Sequence, residues 1–533
     1  MGDRDKRCLA LSFLILAVSI IITLIYIGEG YKATENTALN QAIKEITKSY
    51  RLYQIVATVI MYTVGFFVVF PLCDEIGGEW SYLLALPIGN ALWGTLSSFV
   101  LFVNIPYNKS VMCLLAAFII LSLFLKFRRR YKKIEWRKVF TCNIIVISIA
   151  FMASSGLFAI FTSSDSYYFV MQYGELIAKH GKLSSDIVGT YMTWTGITPA
   201  LTSAYATMWG FENIYAIHYL MIFSMYGFII LAVYKEAIEH CGKKKAIVLS
   251  VMAIVTVGIV PGLSYLSMWI IGNAYFMVYI VFLVLLPIVA KENLGYKTLT
   301  LMALMMIWLA LCRQETGLVV CFIIICFSAL GLQRKQMLFL YLPVFIFQLL
   351  FFTKIIYEYL QGARQADERL LTFAIMLIIL MAFILTACYI GVYNWKILYY
   401  IRKHVTFFGL ATLLIACIIL GVLDIDKFTN NLDSVVHNMA DWYWKYIPFT
   451  VFLLEILKTY FKCRNKYYDL VIWGFVLCNF AICMGRPQYL RLGIGDSYNR
   501  ICMSIVPLYI VTTILTFVRN LQMIDHESIK VIE

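Results

Sequence analysis

Charged residues are scarce in this sequence: they make up 14% of its 533 residues, against 62% that are hydrophobic. A soluble chain of that length has no way to bury so much apolar surface, which excludes an ordinary water-soluble globule. Alternation of apolar and polar residues over about ten positions, the signature of membrane barrel strands, is also missing. Helices remain as the spanning element, because they satisfy their backbone groups internally. Of the 14 cysteines, none falls in the long segments 28–52, 163–211 or 425–446. Nearly all lie in or beside apolar runs, where cysteine behaves as a small hydrophobe, and with no CxxC pair a disulfide framework is not expected. The outer histidines, His180 and His437, lack a second His, Cys or carboxylate at ligand spacing, which argues against zinc. No phosphate-binding glycine loop, nucleophile elbow or kinase-like signature occurs. Internal repeats and low-complexity linkers are absent as well.

What is present is a succession of apolar runs of about 17–25 residues, the length a helix needs to cross about 30 Å of hydrocarbon. They number about sixteen, from 8–27 and 53–72 at the start to 469–484 and 501–518 at the end. The fold class expected is an all-α polytopic membrane protein with about sixteen transmembrane helices and interfacial helices in its outer loops. With the N-terminus placed in the cytoplasm, the cytoplasmic segments collect 28 Lys and Arg, including KFRRRYKK at 126–133 and CGKKK at 241–245. The outer segments collect 16 although they are longer. The positive-inside rule then puts both termini in the cytoplasm of a multi-pass protein of the cell membrane. The net charge of +14 reads as a topology signal with some attraction to anionic headgroups, not as the footprint of a nucleic-acid partner. The opening MGDRDKR leads into 8–27 without an obvious small-residue cleavage site, so this run is read as a retained span. It also lacks the Ser or Thr at position six that myristoylation needs. The run at 446–457 is short; lying in the interface, it would invert everything after it.

The outer segments are long and not merely polar. In 163–211, Phe169, Tyr173, Leu176 and Ile177 recur at helical spacing after Ser164 or Asp165 as N-cap and before Gly181 as C-cap. This predicts a helix lying flat at the membrane surface. The stretch 425–446 carries Trp442, Tyr443 and Trp444, residues typical of interface anchors. A third, 485–500, reads GRPQYLRLGIGDSYNR. Together these loops are expected to roof a cavity that faces outward.

Several residues there have the types that carry chemistry. Asp165, in SSDSYY, is either a helix cap or a carboxylate held at the bilayer surface with its pKa tuned to accept a proton from an attacking hydroxyl. Asp186 is the weaker of the two acids in this segment. Arg313 and Glu315, in LCRQETGL, sit in a tight turn between two spans, where charge is costly. They either pair with each other or leave Arg313 to hold an anionic group in a cavity. Arg486, Arg491 and Arg500 bring three guanidinium forks, which match phosphate oxygens, close to Asp496. The alternative for them is contact with lipid headgroups. Asp424 and Asp426 offer oxygen ligands to a divalent cation, the alternative being a solvated helix end; no other cofactor is indicated.

Three short stretches, in this order, resemble the GT-C superfamily of membrane glycosyltransferases, which take sugars from polyprenyl-phosphate carriers. They are Asp165 opening SSDSYYFVMQYGELIAKHGKLSS, the RQETGL turn at 313–318, and GDSYNRICMSIVP at 495–507, which is similar to the Arg-then-Pro start of a late span in that superfamily. The likeness covers about 139–518. The usual acidic loop follows the first span, whereas here about four spans precede it. Either residues 1–138 are an added four-span module, followed by a catalytic module at 139–518 and a tail at 519–533, or Asp165 is not the equivalent residue. No paired DxD motif stands near Asp165. The resemblance implies a GT-C-like fold and an inverting transfer of sugar from a polyprenyl-phosphate donor to an acceptor hydroxyl on the outer face. Asp165 would be the base, and Arg313, Arg491 or Arg500 would face the departing phosphate. A polysaccharide polymerase or ligase, or a transporter or flippase of a lipid-linked glycan, are the competing readings.

Overall fold

A computed structural model of the chain describes residues 10, 12–14, 16–18, 51–153, 170–184, 187, 196–210, 215–267, 269–290, 294–313, 316–361, 368–391, 396–461, 463–485, 489–493 and 497–532. The regular structure among them is helical, without a β-strand. Ten of the described helices are long and apolar enough to cross a bilayer. Three shorter apolar helices, Tyr296–Ala310, Thr316–Leu330 and Ala374–Ile390, accompany them.

The chain opens its described part with a hairpin, α1 (Arg51–Leu72) and α2 (Trp80–Phe102). A second, α3 (Lys109–Lys126) and α4 (Trp136–Ala153), is joined by a short basic helix at Arg128–Tyr131. Then come α5 (Gln172–His180) and α6 (Thr198–Met208). The next element, α7 (Tyr215–Gly258), is 44 residues long and breaks at Gly242, whose φ of 77° needs glycine. The break divides it into two apolar arms, and a separate short helix, Pro261–Ser267, follows. There follow α8 (Gly272–Val289), α9 (Tyr296–Ala310), α10 (Thr316–Phe327), α11 (Arg334–Leu360) and α12 (Glu368–Ile390). The last group is α13 (Val405–Leu423), α14 (Ile425–Ala440), α15 (Ile447–Tyr460), α16 (Lys466–Gly485) and α17 (Ser497–Ile532).

Lipid offers helices no hydrophobic reason to associate, so close packing and polar contacts must hold them together. Both are visible around α2. A Cβ added at Gly65 of α1 would overlap the Ala85 carbonyl oxygen and stand 2.7 Å from Gly89 N, so the two backbones touch. On the other side of α2, Asn90 Nδ2 donates to the Tyr279 hydroxyl at 3.1 Å, and that hydroxyl donates to Pro87 O at 2.9 Å. Thr202 Oγ1 of α6 donates to Asn90 Oδ1 at 2.9 Å. Through α2 the first hairpin packs against α6, α7 and α9. Burial separates core from rim: 83% of the spanning window is buried in α2 and α17 and 89% in α8, but only 11% in α3 and α13. The outward sides of α3 and α13 are left for acyl chains.

Bonds between loops sort the helix ends into two faces. On one, Asp74 pairs with Arg130 and with Lys297 at 3.0 Å, Lys235 pairs with Glu79, Arg519 Nε meets Glu236 at 2.6 Å, and Lys458 meets Glu455 at 2.7 Å and Asp469 at 3.5 Å. On the other, Tyr107 N donates to Gly181 O at 2.7 Å, Ile197 N to Leu311 O at 2.8 Å, Gly262 N to Tyr443 O at 3.1 Å, and Lys354 Nζ to Asn104 Oδ1 at 2.5 Å. These are the two groups of segments separated by the charge count. The short helix α15 runs from the second group, after Trp444, to the first, at Lys458, and so connects the faces.

Two expectations come out differently. Helix α5 ends at Gly181 as expected, with φ 66°, but Tyr173 and Ile177 are covered by protein, since Gly174 sits against Ala200, Ser203 and Ala204 of α6. Of the three aromatics expected as interface anchors, Trp442 is exposed, while Tyr443 and Trp444 belong to the core. The Trp444 ring lies against Gly262, and its Nε1 donates to Asn499 Oδ1 at 2.9 Å.

Candidate functional site

The site begins with the turn after α9. Arg313 N donates to Thr316 Oγ1 at 3.0 Å, and Thr316 N donates to Arg313 O at 3.2 Å, tying the end of α9 to the start of α10. Gly196 backs this turn. At φ 68°, a Cβ there would fall 2.5 Å from Cys312 C, so only glycine fits. The turn fixes the root of the Arg313 side chain, and its Nη1 donates to Asn273 Oδ1 at 2.7 Å from the first turn of α8.

Arg313 and Asn273 line a narrow hollow on the second face, with a cavity volume of about 20 Å³ and partly open to the outside. Phe276 of α8, Thr316 and Val319 of α10, Ile501 of α17, and Phe475, Cys478, Asn479 and Ile482 along one side of α16 complete the wall. Asn479 is 6% exposed; its Oδ1 accepts from Cys483 Sγ at 3.1 Å, and its Nδ2 faces Cys502 Sγ at 3.8 Å. A guanidinium stays protonated at any physiological pH and presents a fork of donors. With two carboxamides beside it and an apolar wall beyond, the mouth of the hollow sets a cation and polar groups next to an apolar surface, around a space that holds little more than a water.

A second arrangement stands beside it. Asn431, Ser434 and Asn438 occupy one side of α14 and are all buried. They grip the segment 489–493. Leu490 N donates to Asn431 Oδ1 at 2.8 Å, Ser434 Oγ donates to Leu490 O at 3.2 Å, Asn438 Nδ2 donates to Arg491 O at 3.0 Å, and Gly493 N donates to Asn438 Oδ1 at 2.9 Å. From α17, Asn499 Nδ2 donates to Gly493 O at 2.7 Å. The backbone that carries Arg491 is therefore held on both sides.

Of the residues singled out by sequence, Asp165, Asp186, Glu315, Arg486 and Asp496 lie outside the described residues. Arg313 lines the hollow. Arg500, half-buried in the first turn of α17, adjoins the lining residue Ile501, and Arg491 is exposed on the clamped segment. Neither Arg491 nor Arg500 is part of the wall. Asp424 caps α14, its side chain accepting from Lys427 N at 3.0 Å, and no cluster of three or more metal-ligating side chains occurs among the described residues. Sequence reading passed over the asparagines. Asn273 and Asn479 carried a usable signal, since a carboxamide inside an apolar run is costly unless something meets it. No known protein family, curated protein or solved structure matches the chain.

Proposed function

We propose that this protein transfers a sugar from a polyprenyl-phosphate carrier to an acceptor hydroxyl, at the face of the membrane opposite its basic loops, as the GT-C resemblance implies. The basic face is then cytoplasmic, with both termini on that side, in the cell membrane. The observation that carries the reading is the hollow beside Arg313, which combines a guanidinium and two carboxamides with an apolar wall, the chemistry that a lipid-linked phosphate requires. Arg313 neutralises the departing phosphate, the kind of preorganised electrostatic contribution that dominates many enzymes. Asp165 takes the acceptor proton, worth about 10²–10⁴-fold, and attack from the face opposite the phosphate inverts the anomeric centre.

The test is sugar transfer, or carrier release, by purified protein supplied with a polyprenyl-phosphate sugar. Arg313→Gln should bind the carrier weakly and turn it over about 10²–10³-fold more slowly, the range seen when one charge-stabilising donor is removed. Asp165→Asn should bind the carrier normally and lose turnover. Wild-type protein that neither binds nor consumes the carrier would overturn the proposal.

A further inference from the structure

On the basic face, the cations that pack into the bundle are matched by acids: Lys235 by Glu79, Lys297 and Arg130 by Asp74, Arg519 by Glu236, Lys458 by Glu455 and Asp469. The link between α3 and α4 is different. Arg128, Arg129, Lys132, Lys133 and Arg137 are exposed and make no ion pair among the described residues, and the nearby acid Glu135 is taken by Lys138 at 2.8 Å. Self-repulsion should splay such a segment, yet it is fixed in place. Tyr131 is buried and donates its hydroxyl to Phe67 O at 2.6 Å, Arg130 is tied to Asp74, and Ile134 is buried. Five unmatched cations are thus held on a rigid backbone, so a partner that neutralises them has little ordering entropy to overcome.

What lies next to them identifies the partner. The adjoining ends of α3 and α4 turn Leu121, Leu125 and Phe140 outward, all more than half exposed, and Trp136 is 61% exposed beside the cations. Exposed apolar side chains on the helix ends that adjoin a cluster of cations, with a tryptophan between them in the chain, match a molecule whose anionic phosphate sits above acyl chains. A soluble polyanion would leave the apolar side chains unused. We infer that the α3–α4 link is a binding site for the phosphate headgroup of an anionic phospholipid of that leaflet. This site is separate from the Arg313 hollow and does not depend on the proposed transferase activity.

Native mass spectrometry of the detergent-purified full chain, titrated with phosphatidylglycerol or phosphatidylcholine, tests this. Each cation near a membrane surface contributes about fivefold in affinity when fully felt. Wild type should therefore bind phosphatidylglycerol at least about tenfold more tightly than phosphatidylcholine, and R128Q/R129Q/K132Q/K133Q should lose at least about tenfold of that preference. K243Q/K244Q/K245Q, which removes charge at the Gly242 bend on the same face, should keep it. Should the fourfold variant not fold, the wild type still decides: raising salt from about 0.05 to 0.5 M should erase most of the preference. Equal binding of the two lipids, equal loss in the Gly242 variant, or a preference indifferent to salt would each overturn the inference.

Discussion

Asn438 offers the sharpest test of how the outer loops are held. It is 1% exposed, and its carboxamide makes two bonds to the segment 489–493, donating to Arg491 O at 3.0 Å and accepting from Gly493 N at 2.9 Å. Asn438→Ala removes both. At about 0.5–1.5 kcal/mol for each bond, the clamp weakens by about 1–3 kcal/mol. That loss is local, because Asn431, Ser434 and Asn499 still hold the rest of the segment. Trypsin reads it directly, since Arg491 is exposed within the segment but its peptide bond must leave the clamp to enter a protease. Where opening is fast compared with cutting, the cleavage rate follows the open population, so cutting after Arg491 should accelerate about 5- to 150-fold. Mass spectrometry of the fragments assigns the cut. His437→Ala, one position away on an exposed pair with Asp433 at 3.2 Å, should change the rate little, because such surface pairs are worth under about 1 kcal/mol. An unchanged rate in Asn438→Ala, or equal acceleration in His437→Ala, would refute the clamp.

Three further outcomes follow from the geometry. Gly65→Val, placing a branched side chain where even a Cβ overlaps the Ala85 carbonyl, should lower stability by about 3 kcal/mol or more, read as a fall in melting temperature in detergent. Trp444→Phe strands Asn499 Oδ1 and withdraws the part of the indole that lies against Gly262; it should cost about 2–4 kcal/mol by the same measurement. In a Cys113→Ser background, which removes the cysteine that is exposed among the described residues, Lys133→Cys and Asp433→Cys should react with a membrane-impermeant thiol reagent from opposite sides of sealed vesicles. Labelling from one side alone would dissolve the two-face arrangement.

The helical class and the grouping of loops were legible in the sequence because both follow from a one-dimensional pattern. Apolar length sets a span, and charge alternates with each crossing. That is why KFRRRYKK and CGKKK fall on the same face as Lys297 and Arg519, hundreds of residues apart. Arg313 was legible for a related reason: a charge between two spans has few bland uses. The rest of the hollow was not, because Asn273, Asn479 and Ile501 meet only through the packing of α8, α16 and α17. Trp444 shows a different limit. Aromatics favour both the interface and the core, and composition cannot separate Trp442, which is exposed, from Trp444, which fits against Gly262, a glycine far away in the chain. The polar side of α14 was readable in principle, since Asn431, Ser434 and Asn438 recur at helical spacing in NNLDSVVHNMA.

The short helix that connects the two faces has a consequence for the membrane itself. At 14 residues, α15 rises only about 21 Å, well short of the roughly 30 Å of hydrocarbon around it. Phe449, Phe452, Leu453 and Ile456 face outward, with Tyr446 and Tyr460 exposed at its two ends, so lipids there must compress to match a shorter wetted height than elsewhere on the rim. Where α15 meets lipid, the apolar height it offers is therefore shorter than that of the ten long apolar helices described. Thick bilayers resist that deformation more than thin ones, which makes acyl-chain length a variable the molecule feels without any ligand bound.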